Sequence, residues 1–218
     1  MGLRLSLFLL SLVAFGAFTI FSYTVAKEIW QQVDFDTTVK LQDRIPRHFD
    51  EDFSYLSLIG SVEVTLGLAA VLAFYSLVRR KFWAFLGWLM IIPATMVEVL
   101  GKLILFHPAT PVLFHRNILE TDLPSFYVET NFSYPSGHMT RTIFLLTVFL
   151  LVIFFSRMNI LYKFISISAI LGFGFMMALT RVYLGEHWVS DVIGGSLLGM
   201  AAGLFSSALI IAKRKKKV

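Results

Sequence analysis

The chain has 218 residues, of which 57% are hydrophobic and 22 are phenylalanine. Soluble domains contain about 45–50% apolar residues, so this composition indicates a membrane protein. The absence of cysteine excludes disulfides, thiolate nucleophiles and cysteine-ligated metals. The net charge of +5 comes largely from the basic cluster at 213–217, which is typical of an anchor at acidic headgroups and does not indicate a nucleic-acid partner.

Six apolar segments are long enough to cross a bilayer as helices. They are Leu5–Ala26, Phe53–Val78, Phe82–Phe106, Ser136–Ser156, Asn159–Thr180 and His187–Ala212. The sequence therefore predicts an all-α integral membrane protein, a bundle of six transmembrane helices that forms one domain over residues 1–218. Because the first apolar segment is longer than the apolar core of a usual signal peptide, we expect it to be a retained helix.

Basic residues mark one side of the predicted bundle. If six spans alternate, the same side receives Arg4, Arg79–Lys81, Arg157, Lys163 and the 213–217 cluster. Positive residues are enriched on the cytoplasmic side, so we expect both termini to be cytoplasmic in a multi-pass protein of the cell membrane. The extracytoplasmic side then receives the amphipathic segment Lys27–Asp52, which carries no motif that we can assign.

The third apolar segment carries two ionisable residues near its outer end. Glu98 and Lys102 are four residues apart, a spacing typical of an ion pair whose lysine reaches the interface. The alternative is that Lys102 is a cation of a functional site, because ionisable residues inside membrane segments are functional candidates. Glu63, in the second segment, is predicted to lie deeper.

A second polar group opens the fourth segment, where residues 134–138 read Tyr-Pro-Ser-Gly-His. The free N–H groups of Ser136 and Gly137 at a helix start, together with the helix dipole, favour an anion. His138 follows directly and is placed to exchange a proton there, and Arg141 lies near it on the same helical face. The alternative is an ordinary serine N-cap followed by a turn glycine.

A third polar group joins the fifth and sixth segments. It contains Arg181, His187 and Asp191. His187 and Asp191 are four residues apart, so on a helix they share one face, and the carboxylate can hold one imidazole nitrogen as N–H. The alternative is a set of interfacial charges. The following stripe, Gly195-x-x-x-Gly199-x-x-x-Gly203, predicts close helix packing.

Together these residues resemble the type 2 phosphatidic acid phosphatase family, also called the lipid phosphate phosphatase family. Its signature has a lysine-containing first motif that ends in Arg-Pro, then Pro-Ser-Gly-His, then Ser-Arg with a histidine six residues after the arginine and an aspartate four beyond. Pro135–His138 matches the second part. Arg181, His187 and Asp191 have the spacing of the third, with Thr180 in place of serine.

The first motif departs from the family pattern. Counted from Lys102, the position of the family's arginine is occupied by Ala109. One cation that binds phosphate is therefore missing where the resemblance places it. We expect Arg141, Arg116 or His107 to supply the lost charge. Arg141 is the first choice because it projects from the helix that begins at the predicted phosphate site.

The resemblance implies a mechanism. His187, oriented by Asp191, attacks phosphorus to form a phosphohistidine, and His138 acts as the general acid. The phosphoryl oxygens are held by Lys102, Arg181, Arg141 and the N–H groups of Ser136 and Gly137. No cofactor or metal is expected. The implied partners are membrane lipids and a lipid phosphate substrate of the undecaprenyl diphosphate, phosphatidylglycerophosphate or phosphatidic acid class.

Three alternatives use the same residues differently. A lipid phosphotransferase passes the phosphoryl group to another lipid. A transporter uses the intramembrane charges as a relay, which predicts polar residues through the whole bilayer depth. A metalloenzyme uses His138, His187 and Asp191 as metal ligands.

Overall fold

A computed structural model describes residues 2–119 and 132–211, and all regular elements in these ranges are helical. Two short 3-10 turns, Arg47–Phe49 and Val112–Phe114, accompany the α-helices. The α-helices are α1 Leu3–Ala26, α2 Gln31–Arg44, α3 Asp50–Ile59, α4 Val62–Val78, α5 Phe82–Leu89, α6 Ile91–Ile104, α7 Gly137–Phe154, α8 Ile160–Tyr183 and α9 Val189–Ile210.

Six helical segments are long and apolar enough to cross a membrane, which confirms the predicted number of spans. Two of them are compound: α3 and α4 together form the span Arg47–Val78, and α5 and α6 form Phe82–Ile104. The second span thus begins earlier than predicted. The sixth begins at Val189 instead of His187, and its predicted end at Ala212 lies outside the described residues.

The polar connections collect at one end of the bundle. Because the six spans alternate in direction, α2, residues 105–119, residues 132–136 and the loop 184–188 all lie at the same end. The basic residues predicted to be cytoplasmic lie at the opposite end: Arg79–Lys81 and Arg157 in the α4–α5 and α7–α8 connections, and Arg4 and Lys163 in the first turns of α1 and α8. The basic cluster at 213–217 is outside the described residues.

Helix α9 packs closely between α1 and α7. On the α7 side, a Cβ added to Gly203 would lie 2.7 Å from the Thr147 Cβ, so a larger side chain does not fit at this contact. On the α1 side, the rings of Phe8 and Phe205 are 5.9 Å apart. The glycine stripe therefore packs against α7, as its spacing predicts.

Tyr134 anchors the segment that leads into α7. Its side chain is fully buried, and its hydroxyl lies 2.9 Å from Ser22 Oγ of α1. Its ring stacks on Phe18 with the centroids 6.4 Å apart. Burial raises the pKa of the Tyr134 phenol above its usual value. The contacts of Tyr134 with Ser22 and Phe18 therefore fix the position at which α7, the helix that carries His138, begins.

Helix α2 covers the polar end of the bundle and contacts α8 and α9. Gln42 Nε2 donates to the carbonyl oxygens of Phe114 and Tyr183, at 2.7 and 2.8 Å. One face of α2 is buried, with Asp34 and Thr38 on it. The segment to which the sequence assigned no role is therefore packed against the helix ends that carry the predicted site.

Candidate functional site

The three predicted motifs meet at the polar end of the bundle. The N–H of Ser136, at the start of α7, donates to the carbonyl of Asp191 in the first turn of α9, at 3.0 Å. The N–H of Phe132 donates to the carbonyl of Lys102 at 3.2 Å. Backbone hydrogen bonds thus tie α6, α7 and α9 together at this end, which fixes the relative positions of their side chains.

His187 and Asp191 form the predicted pair. His187 Nδ1 lies 3.2 Å from Asp191 Oδ2, and the N–H of Trp188 donates to the same oxygen at 3.1 Å. His187 precedes α9, so the pair forms because the buried carboxylate of Asp191 folds back over the helix start. When Nδ1 carries the hydrogen, Nε2 keeps its lone pair and is free to act as a nucleophile.

Arg181 lies in the last turn of α8 with its side chain fully buried. Its Nη1 pairs with the carboxylate of Glu186, in the loop that follows. Its Nε and Nη2 are buried and have no hydrogen-bond partner among the described residues. A buried donor without an acceptor costs about 1–3 kcal/mol, so these two atoms favour an anion in the site. The N–H of His187 donates to the Arg181 carbonyl at 3.2 Å, which keeps the two residues together.

Lys102 and Arg141 share one carboxylate. Glu98 Oε1 lies 2.7 Å from Lys102 Nζ, and Glu98 Oε2 lies 3.0 Å from Arg141 Nη1. The Glu98–Lys102 ion pair forms, as the interfacial interpretation of this motif predicts. The same pair also places Lys102 beside α7. Two cations on one carboxylate leave a net positive charge next to the start of that helix.

His138 lies in the first turn of α7, within electrostatic range of Arg181, Arg141, His187 and Lys102. The second predicted histidine and three predicted cations are thus close enough to His138 to act on it electrostatically. In the described ranges, no three His, Asp or Glu side chains lie close enough together to hold a metal ion.

The backbone of the Pro-Ser-Gly-His segment has two roles. Ser136 Oγ accepts from the N–H of Met139 at 3.4 Å and so caps the helix, as the alternative interpretation predicts. The Ser136 N–H is engaged with Asp191. The N–H groups of Gly137 and His138 belong to the first turn, where no helical carbonyl precedes them, and they remain the better candidates to meet a phosphate.

The three candidates for the missing arginine have different surroundings. Arg141 lies in the site on Glu98, with its Nε buried and unpartnered among the described residues. Arg116 lies against Tyr183: its Nη1 is 3.2 Å from the Tyr183 hydroxyl, and its guanidinium lies over the Tyr183 ring. His107 is buried near Asp191. That Arg141 supplies the lost charge stays a prediction.

Sequence reasoning missed two buried residues behind the site. Asp34 of α2 accepts from both the N–H and the hydroxyl of Ser190, at 2.8 and 2.7 Å. Burial raises the pKa of the Asp34 carboxyl, against the opposing effect of these two hydrogen bonds. The only sequence signal is that Asp34 and Thr38 are four apart on one face of a mostly polar helix, which does not distinguish a buried carboxylate from an exposed one.

A bundle of six membrane-spanning helices, with histidines, an aspartate and several cations gathered at one end, defines a polytopic membrane protein with a site suited to an anion. The sequence model of the PAP2 superfamily matches residues 102–215. The chain therefore belongs to the PAP2 superfamily. The match covers the motifs from Lys102 to Asp191.

Two solved structures share the fold. One is a transmembrane PAP2-type phosphatidylglycerolphosphate phosphatase from Bacillus subtilis, with a TM-score of 0.68 and 21% identity, covering 89% of this chain and 92% of the other. The second is LpxE from Aquifex aeolicus, with a TM-score of 0.55 and 20% identity, covering 80% of this chain and 94% of the other. A search of curated protein sequences gave no match to this chain. The fold is thus that of PAP2 membrane phosphatases.

Proposed function

We propose that the protein hydrolyses the phosphate ester or diphosphate of a membrane lipid through a phosphohistidine formed at His187. One observation carries the proposal. Fully buried Arg181 presents two donor atoms that have no partner among the described residues, and it is joined through the backbone to His187, whose Nδ1 is held by Asp191. A phosphoryl group satisfies the donors and meets the nucleophile.

In the first step, His187 Nε2 forms a bond to phosphorus while the bond from phosphorus to the leaving oxygen breaks. His138 gives its proton to that oxygen. Arg181, Lys102 and Arg141 hold the other phosphoryl oxygens as negative charge shifts onto them in the transition state. Asp191 stabilises the positive charge that develops on the His187 ring.

In the second step, water attacks phosphorus and the phosphorus–nitrogen bond breaks. His138, neutral after the first step, accepts the proton of the water. Inorganic phosphate leaves, and both histidines return to their starting states. The cationic side chains supply the charge stabilisation that Mg²⁺ supplies in other phosphoryl-transfer enzymes, so the proposed reaction requires no metal.

A lipid substrate fits the surroundings of the site. An open groove runs between α4, α7 and α8 and is lined mainly by apolar side chains, among them Val64, Leu68, Leu145 and Phe149. The groove reaches Thr142, the neighbour of Arg141. A hydrocarbon chain in this groove keeps its phosphate at the polar end of the bundle. A polyprenyl diphosphate or phosphatidylglycerophosphate is our first choice; phosphatidic acid is the next.

The site faces the extracytoplasmic side in this proposal. Arg79–Lys81, Arg157 and Lys163 lie at the end of the bundle opposite to the site. Positive residues favour the cytoplasm, so the polar end is assigned to the outside and both termini to the cytoplasm. Labelling of single cysteines with a membrane-impermeant reagent in intact cells tests this orientation, because the native chain has no cysteine.

The transporter alternative is disfavoured by where the charges lie. Glu63, predicted to be deep in the second span, lies in the first turn of α4 and acts electrostatically on Arg141. It therefore belongs to the same end of the bundle as Glu98 and Lys102. A relay across the bilayer needs ionisable groups at several depths.

The test is an assay of purified protein in excess EDTA against phosphatidic acid, phosphatidylglycerophosphate and polyprenyl diphosphates. We expect free phosphate with at least one of them, and none from His187→Ala. His48→Gln serves as the matched control, because His48 is exposed. Phosphorylated lipid without free phosphate would establish the phosphotransferase. Loss of activity in EDTA that zinc restores would establish the metalloenzyme.

A further inference from the structure

We infer that His107, held by Asp34 and Ser190, is a positioning residue that fixes the carboxylate of Asp191 behind His187. The inference rests on the proposed function, in which His187 is the nucleophile. It gives α2 a role in the reaction, because Asp34 carries the contact from that helix to the site. It also gives a role to the segment after Lys102, where the family's arginine is missing.

The hydrogen-bond directions follow from the contacts. Ser190 Oγ has one hydrogen and donates it to Asp34 Oδ2 at 2.7 Å. His107 Nε2 lies 3.0 Å from the same Oγ. Since the hydroxyl hydrogen is already committed, the imidazole must be the donor, and Nε2 carries a hydrogen. Asp34 thus sets the tautomer of His107 through Ser190.

That N–H lies between two carboxylates. Nε2 is 3.5 Å from Asp191 Oδ1 and 3.7 Å from Asp34 Oδ2. Asp191 Oδ1 is buried and has no hydrogen-bond partner among the described residues, whereas Oδ2 already accepts from two groups. A buried carboxylate oxygen without a donor is costly. The His107 N–H donates to Ser190 Oγ, and its positive hydrogen also lies close enough to Asp191 Oδ1 to stabilise that oxygen electrostatically.

The arrangement supports the nucleophile from behind. His107, Asp34 and Ser190 are all buried. Among the described residues, none of the three forms a hydrogen bond with Lys102 or Arg181. Loss of His107 therefore leaves the phosphate cations in place and lets the Asp191 carboxylate turn away from His187. Turnover then falls, while binding of the substrate is kept.

The experiment uses the full chain in detergent with dioctanoyl phosphatidic acid and farnesyl diphosphate as probes. We expect His107→Leu to lower kcat about ten- to a hundredfold, since a displacement of about 1 Å costs up to a hundredfold. KM should stay within about twofold. His107→Gln, which keeps an N–H donor, should recover part of the loss. His48→Gln is the control for an exposed histidine.

A second variant and a second readout separate positioning from folding. Asp34→Asn should lower kcat with KM unchanged, and Asp36→Asn on the exposed side of α2 should not. The ring nitrogens of the five histidines can be followed by NMR in protein labelled with 15N-histidine. We expect His107→Leu, or Asp34→Asn if the former does not fold, to change the His187 signal, identified as the one that His187→Ala removes.

The outcomes distinguish this inference from the proposed function. If His187→Ala is inactive while Asp34→Asn and every folded His107 variant keep the wild-type kcat, the positioning role is overturned and the phosphatase stands. If the His107 variants raise KM and leave kcat unchanged, the residue binds substrate and the inference is wrong. If His187→Ala remains active, the proposed function itself fails.

Discussion

Arg141 Nη1 lies 3.0 Å from Glu98 Oε2, so two buried side chains of opposite charge join α7 to α6 beside the site. The other oxygen of that carboxylate holds Lys102 at 2.7 Å. Glu98 therefore places two cations at the start of α7. Ala109 stands where the family signature has an arginine, and that Arg141 supplies the lost charge is the first prediction.

We expect Arg141→Ala to lower kcat/KM about ten- to a hundredfold, because a hydrogen bond to a charged group contributes about 1.5–3 kcal/mol. The measurement is the rate of phosphate release at several substrate concentrations. Arg116→Ala is the matched control, since Arg116 lies against Tyr183 and away from Glu98. Intact activity in Arg141→Ala together with lost activity in Arg116→Ala would transfer the role to Arg116.

The proposed phosphohistidine gives the second prediction. His187→Ala should lower turnover by about 10⁴-fold or more, because a covalent nucleophile has no substitute within the site. Rapid quenching with 32P-labelled substrate should trap label on wild-type protein, and the label should be stable to base and lost in acid, as for a phosphoramidate. His138→Gln should retain a trace of label while releasing product slowly. Label on a hydroxyl-bearing residue instead would contradict the mechanism.

The sequence predicts the spans, and the motifs that meet at the polar end, because both are defined by local patterns. Apolar length identifies the six spans, and spacing along the chain identifies Arg181, His187 and Asp191. The start of α9 is shifted because apolar pattern cannot show that the Asp191 carboxylate folds back to the Trp188 N–H and ends the loop there. Helix boundaries set by capping contacts are visible only in the fold.

The support behind the site could not be predicted for a different reason. Asp34 is 156 residues from its partner Ser190, so nothing near it in the chain signals the contact. Asp36, two residues on, has the same chemistry but forms an exposed pair with Lys40. Only packing of α2 against α9 distinguishes the two aspartates.

The Glu186 carboxylate occupies one donor of Arg181, which leads to the third prediction. Its carboxylate pairs with Arg181 Nη1 and also accepts from Asn117 Nδ2 at 2.6 Å. Glu186→Gln removes the charge and keeps an acceptor for Asn117. We expect inorganic phosphate to inhibit this variant at concentrations about three- to tenfold lower, since a partly buried ion pair of this kind contributes on the order of 1 kcal/mol. An unchanged inhibition constant would show that the pair does not oppose phosphate.

Gly137 keeps the start of α7 close to the Glu98 carboxylate. A Cβ at this position would lie 2.6 Å from Glu98 Oε1 and 2.9 Å from Arg141 Nη1. These distances are shorter than a methyl group tolerates, so the ion pair must move when a side chain is added. This chain therefore needs glycine at position 137 for close approach and not only for the turn.

We expect Gly137→Ala to lower kcat/KM at least about tenfold, because displacement of Glu98 moves Arg141 and Lys102 away from the phosphoryl oxygens. The helix itself should tolerate alanine, which has the higher helix propensity. Gly172→Ala is the matched control, since nothing lies within 4 Å of a Cβ at that position of α8. Phosphate release and thermal unfolding are measured for both variants. Wild-type kcat/KM in folded Gly137→Ala would mean that the Glu98 pair does not position the cations of the site.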